Sequence, residues 1–162
     1  SNSLIECLVF ANRAVEDTVK VGAVKEFPAF EKQYSRDENN AQLYAELKSQ
    51  VAEIMNYHAG IIRSEESLTE GLQKIEQLRN VIKQKQDERG GEENREYYLE
   101  ASRRMLCVAR LIMSPALLRK ESRGGHYRED FPCADEAFAL HSVQRRGEQI
   151  TTAPVNSNYF NF

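Results

Sequence analysis

The densest set of chemically capable side chains is the stretch Glu121-Ser122-Arg123-Gly124-Gly125-His126-Tyr127-Arg128-Glu129-Asp130-Phe131-Pro132. A histidine near carboxylates is the pairing that general acid–base chemistry uses, and arginines near carboxylates form forked ion pairs. The sequence sets no serine or cysteine as a nucleophile for His126. Gly124-Gly125 follows a helical pattern instead of opening one, so it is not a phosphate-binding loop. Polar groups this dense need partners outside the stretch. It is a site, a docking surface or a solvated loop.

Other candidates are few. His58 lies on the apolar stripe of a helix, where a hydrogen-bonded core residue and a ligand both fit. The three cysteines, Cys7, Cys107 and Cys133, are far apart and form no C-x-x-C, which argues against zinc. Cys7 and Cys107 sit among apolar residues and read as small core hydrophobes in a reducing compartment. Neither a G-x-S-x-G elbow nor H-E-x-x-H occurs.

The elements that must position these residues are helical. Ser3-Leu4-Ile5-Glu6 has the form of a capping box, and Leu4, Leu8, Ala11 and Val15 follow at helical spacing, so a first helix runs from Ser3 to about Val21. Its free N–H groups suit an anionic or electron-rich ligand, or face water. Residues 23–36 read as a linker broken by Phe27-Pro28, with Phe30 and Tyr34 able to pin it to the core. Ser35-Arg36-Asp37-Glu38 is a second capping signal, ahead of Leu43, Leu47, Val51, Ile54, His58 and Ile61. A third helix starts at Ser64 or Ser67 and buries Leu68, Leu72, Ile75, Leu78 and Ile82, with Gly71 as its weak point. A fourth runs from about Glu92 to Lys120, with Tyr98, Ala101, Met105, Val108 and Ile112 in one stripe, widened by Ala109, Met113 and Ala116 and kinked by Pro115. That Met and aromatic stripe reads as core.

Three amphipathic helices with short connections predict an all-α, antiparallel three-helix bundle of the spectrin-repeat kind over residues 37–132. It is preceded by the extra helix of residues 1–22 and followed by an irregular tail, 133–162, whose end reads as a strand, an extended segment or a disordered one. The net charge of −3 gives no basic field for nucleic acid, and no apolar run approaches ~18 residues. The chain begins without methionine, inside a helical pattern, and reads as a piece of a longer cytoplasmic protein.

Three stretches carry a resemblance. Ser1-Asn2-Ser3-Leu4-Ile5-Glu6-Cys7-Leu8-Val9-Phe10 resembles the S-N-S-L-L-E-x-L-V-F/Y segment of the L-aspartate oxidase flavoproteins. Gly60-Ile61-Ile62-Arg63-Ser64 is similar to their G-I-V-R-[ST], although Asn56 stands after Met55 where the family often has tryptophan. Arg119 to Pro132 resembles the R-x-E-S-R-G-x-H-x-R-x-D-Y/F-P signature of the wider superfamily, which includes the succinate dehydrogenase and fumarate reductase flavoproteins. The resemblance implies a parent that oxidises L-aspartate to iminoaspartate with FAD, for NAD biosynthesis, with oxygen or fumarate as electron acceptor. It places Ser3 and Leu4 against FAD, no catalytic residue and no metal ligand in this chain, and the flavin-binding and capping domains as its partners. Glu121, Ser122, Arg123, His126, Arg128 and Asp130 are then a domain-docking motif. The chain alone is expected to hold no FAD, to be inactive and to be capable of dimerising.

Overall fold

The computed structural model describes residues 3–21, 34–90, 95–145 and 148–154, with the side chains of residues 3–8 and 21 outside that set. The chain forms two compact units, residues 1–33 and residues 34–162. The first contains helix α1, Ser3–Val21, with the predicted bounds. The predicted linker falls mostly on residues outside the described set.

The second unit is built on α2 (Glu38–His58), α3 (Glu65–Glu88) and α4 (Tyr97–Leu118), each packed on the other two. Contacts at the two ends give their directions. Asp37, before α2, pairs with Arg89 at the end of α3, and Tyr44 of α2 meets Tyr98 of α4. His58, ending α2, bonds Ser67 in the first turn of α3. α3 therefore runs antiparallel to both α2 and α4. The core is Leu47 and Val51 from α2, Leu68, Ile75 and Ile82 from α3, and Leu99, Leu106, Ala109, Met113 and Ala116 from α4.

The caps differ from the predicted ones. α2 is capped by Asp37, whose carboxylate accepts from Asn39 N–H, and not by Ser35. Ser35 is instead held by backbone bonds with Arg95 and Tyr97. α3 uses Ser64. α4 starts at Tyr97, later than predicted, because the buried Glu96 carboxylate accepts from the N–H groups of Tyr98 and Leu99. It also accepts from Asp37 N–H, so one side chain ties the starts of α2 and α4 together.

α4 also corrects the predicted stripe. Leu99, Ser102, Leu106, Ala109, Met113 and Ala116 are buried, whereas Val108 and Ile112 are exposed. Cys107 is exposed too, contrary to its expected core role, as is Cys133. The helix has two apolar faces, and spacing alone merged them. Ile61 lies beyond the end of α2 and is exposed.

Gly71 has a role that propensity hid. A Cβ there would lie 2.6 Å from His58 Cβ and against Met113 Cε, so side chains of α2 and α4 press on α3 at this point.

The remaining elements are small. β1 (Ile62–Arg63) pairs in parallel with β2 (Tyr127–Arg128). In the tail a short 3-10 helix, Glu136–Phe138, precedes β3 (Leu140–Val143), which pairs antiparallel with β4 (Thr151–Pro154). The tail is thus partly a two-stranded ribbon. No helix among the described residues is long and apolar enough to cross a membrane.

Candidate functional site

The stretch after α4 is positioned by three elements: the C-terminus of α4, the N-terminus of α3 and the β1–β2 pair. α4 ends at Leu118 with carbonyls that lack helical partners. Arg128, on β2 and fully buried, supplies them. Its Nη1 donates to the carbonyls of Ala116 and Leu117, both at 3.2 Å, and of Arg119 at 3.3 Å. The other edge of the guanidinium forks onto Asp130, with Nε at 2.7 Å and Nη2 at 2.5 Å, and the ring of Phe131 lies 5.0 Å away. Asp130 in turn accepts from Glu65 N–H at 2.9 Å, in the first turn of α3, where a carboxylate is favoured. These bonds hold the Asp130 carboxyl down at about 2, the Arg128 bond contributing most. One ion pair therefore caps the end of one helix and the start of another.

Glu121 forms a second centre. It is fully buried and accepts from Arg119, from Arg123 Nε at 3.0 Å and from Asp135 N–H at 3.1 Å. Burial pushes its pKa up, but these bonds outweigh burial and hold it below the ordinary value. Arg119 also donates to the carbonyls of Phe138 and Leu140, anchoring the tail. Ser122 Oγ accepts from Arg128 N–H and donates to the Phe131 carbonyl, each at 2.8 Å, closing the turn.

His126 is engaged at both ring nitrogens. Arg63 Nη1 lies 3.0 Å from Nδ1 and can only donate, so Nδ1 is an acceptor. The proton is then on Nε2, which faces the Arg119 carbonyl at 3.3 Å. Burial, with the charges of Arg63, Arg128 and Arg119, lowers the His126 pKa and keeps the ring neutral. A histidine with both nitrogens occupied and no adjacent nucleophile suits holding strands together better than moving protons.

The structure thus brings Glu121, Ser122, Arg123, His126, Arg128 and Asp130 into one lattice and turns most of their polar atoms on one another. Arg123 also reaches outward, towards Glu136 at 3.3 Å. Sequence reasoning missed two members, Arg63 and Arg119. Both stand inside the stretches that carried the resemblance, which was the available signal. Ser3 and Leu4 lie in the first turn of α1.

His58 is the other candidate. It is buried, with Nδ1 3.1 Å from Ser67 Oγ and Nε2 3.1 Å from Lys74 Nζ. The ammonium can only donate, so Nε2 accepts, and the ring bonds as a core residue. An open hollow of about 490 Å³ lies over it, lined by Gln50, Glu53, Tyr57 and Lys74 among others. Among the described residues no cluster of three or more histidine, cysteine or acidic side chains could hold a metal.

Residues 48–162 match the family model described as fumarate reductase flavoprotein C-term. The L-aspartate oxidase of Pyrococcus furiosus is 35% identical over 145 residues, 90% of this chain and 25% of the relative. The chloroplastic L-aspartate oxidase of Arabidopsis thaliana is 35% identical over 160 residues, 88% of this chain and 24% of the relative. The chain thus spans about a quarter of the length of these relatives. A solved structure, the Mycobacterium smegmatis Sdh1 complex in the apo form, superposes with a TM-score of 0.52 at 23% identity, covering 90% of this chain and 25% of that one, which shows a shared fold. The chain belongs to the family of fumarate reductase flavoprotein C-terminal domains.

Proposed function

We propose that this chain is the C-terminal helical module of a FAD-dependent L-aspartate oxidase, which oxidises L-aspartate to iminoaspartate for NAD biosynthesis in the cytoplasm. The observation that carries this is the alignment of proteins named L-aspartate oxidase across 85–94% of the chain. The module's own part is structural. The lattice around Arg128 and Glu121 offers no free nucleophile or base, so oxidation belongs to the flavin-binding portion, and the module alone is inactive. What this chain offers FAD is the N-terminus of α1 at Ser3 and Leu4. The N–H groups of a helix's first turn fit an electron-rich flavin edge, and bound FAD would supply the hydride acceptor. The flavin-binding and capping domains are the module's partners, with oxygen or fumarate as the parent's electron acceptor.

The matching family model favours a second reading, a succinate dehydrogenase or fumarate reductase flavoprotein. Purified full-length protein separates the two. The expected result is a yellow protein that turns over L-aspartate and not succinate, while the 162-residue chain does neither. Turnover of succinate alone assigns the dehydrogenase. A colourless full-length protein inert to both rejects the flavoenzyme reading.

A further inference from the structure

The hollow over His58 holds a grouping that the charged lattice lacks: an accessible amine within reach of an imidazole that a third group orients. Lys74, on α3, has a side chain 44% exposed. Its Nζ lies 3.1 Å from His58 Nε2, at the end of α2, and 2.8 Å from Glu70 Oε1, one turn back on α3. Nε2 accepts, so the ring proton is on Nδ1 and points at Ser67 Oγ, 3.1 Å away, which accepts it. The Tyr57 ring stands edge-on to the imidazole, with centroids 4.8 Å apart. Ser67 and Tyr57 thus hold a fully buried ring with its basic nitrogen aimed at the amine. Nucleophile, base and orienting group stand in the order that covalent chemistry uses.

We propose that Lys74 is a modification site, an amine that takes an acyl group from an acyl thioester seated in the hollow, with His58 as general base. Once the ammonium has given one proton to solvent, its two remaining N–H bonds point at His58 Nε2 and Glu70 Oε1, and the lone pair takes the open side. The nitrogen attacks the thioester carbonyl carbon and a C–N bond forms. The surplus proton on nitrogen passes to His58 Nε2. The C–S bond then breaks, and the leaving thiolate takes that proton from the ring and departs as a thiol. The products are an amide on Lys74 and a free thiol, with no change in oxidation state. The hollow selects the donor. Its volume of about 490 Å³ suits a small molecule. Ile54 and Leu78 give it an apolar wall for the acyl chain, and the amides of Gln50 and Gln77 are donors for the developing oxyanion. The Glu53 carboxylate on its lining disfavours an anionic donor such as an acyl phosphate. None of these residues is among those offered to FAD, so the site stands apart from the flavin chemistry.

The test incubates the 162-residue chain with S-acetyl-N-acetylcysteamine, an uncharged acetyl thioester, and follows acetylation of each lysine by mass spectrometry. Lys48 and Lys83, exposed on the same two helices, are the internal references. Lys74 is expected to react at least about tenfold faster than either. His58→Gln keeps an acceptor beside the amine but no base, and is expected to bring Lys74 to within about threefold of the references. Ser67→Ala keeps the ring and removes the group that orients it, so an intermediate rate is expected. Lys74 reacting no faster than Lys48 and Lys83 in the unsubstituted chain overturns the proposal, whatever the variants do. A full Lys74 advantage in His58→Gln protein that keeps the parent's helical circular dichroism also overturns it. Should His58→Gln unfold, Ser67→Ala decides, and a Lys74 rate equal to the parent's there overturns the assignment of His58 as base.

Discussion

Replacing Arg128 tests whether the charged motif is an internal staple. Arg128→Ala removes a fully buried guanidinium that serves one carboxylate and three helix-end carbonyls. Breaking a buried ion pair by removing one partner costs about 3–5 kcal/mol. Asp130 retains some access to water, with its side chain 29% exposed, which moves the expectation towards the lower end. The carbonyls of Ala116, Leu117 and Arg119 add the cost of unpaired buried acceptors, about 1–3 kcal/mol each where water cannot reach them. With all contributions at the low end the expected loss is about 6 kcal/mol, against a typical total of about 5–15 kcal/mol for a domain. Arg128→Lys keeps the charge but cannot fork onto Asp130 and reach the helix end together, so an intermediate loss of about 2 kcal/mol is expected. The assay is urea unfolding of the 162-residue chain at pH 7, read as a change in midpoint at constant slope. Arg128→Met paired with Asp130→Leu separates packing from charge, because an apolar pair of similar volume is often tolerated where a broken ion pair is not. The reasoning is refuted if Arg128→Ala unfolds within about 1 kcal/mol of the parent, or if the Lys variant is no better than the Ala variant.

Gly71→Ala gains about 1 kcal/mol of helix propensity. It also places a Cβ 2.6 Å from His58 Cβ, with overpacking costs of about 1–3 kcal/mol. A net loss of stability is expected, and a raised melting temperature refutes the close approach. His126 is neutral when folded and its pKa lies below the ordinary 6.5, so the unfolded chain binds more protons as pH falls through that value. Stability is expected to decline from pH 7 to pH 5, and His126→Gln to remove that part of the decline in urea titrations. Asp130, held at about 2 against an ordinary 3.8, gives a second loss as pH falls from about 4 to about 2. Asp130→Asn should flatten it in acid-unfolding curves.

The helices were legible because a period near 3.6 and capping signals act locally, and α1 has the bounds the sequence predicted while α3 starts at one of its two predicted caps. Their exact starts were less legible where tertiary partners decide. Ser35 and Asp37 are both good caps, and the choice follows from Arg89 reaching Asp37 and from Ser35 pairing with Arg95 and Tyr97. The β1–β2 pair joins Ile62 to Tyr127, and nothing local to either residue announces it. α4 was misread for a different reason. Its two apolar faces overlap in periodicity, and only packing shows that Leu106 and Met113 point inward while Val108 and Ile112 do not.

That reversal bears on function. A cluster of arginines, acids and a histidine invites the reading of an active or docking site, because charge is usually found where water or a ligand is. Here Arg128 and Glu121 have no exposed surface and close on partners from the same chain. The apolar side chains that a soluble helix would bury lie outside, along α4. The two observations support one design. The end of α4 is fixed by charge and not by apolar packing. Charge-assisted bonds fixing the end of α4 to α3 and β1 supply rigidity without adding apolar area. In the 162-residue chain Arg128→Lys is therefore expected to speed hydrogen exchange of the amides in the last turn of α4, while those of Leu47 and Val51 in α2 exchange as in the parent. Unchanged exchange at the end of α4 alongside reduced stability refutes a local staple.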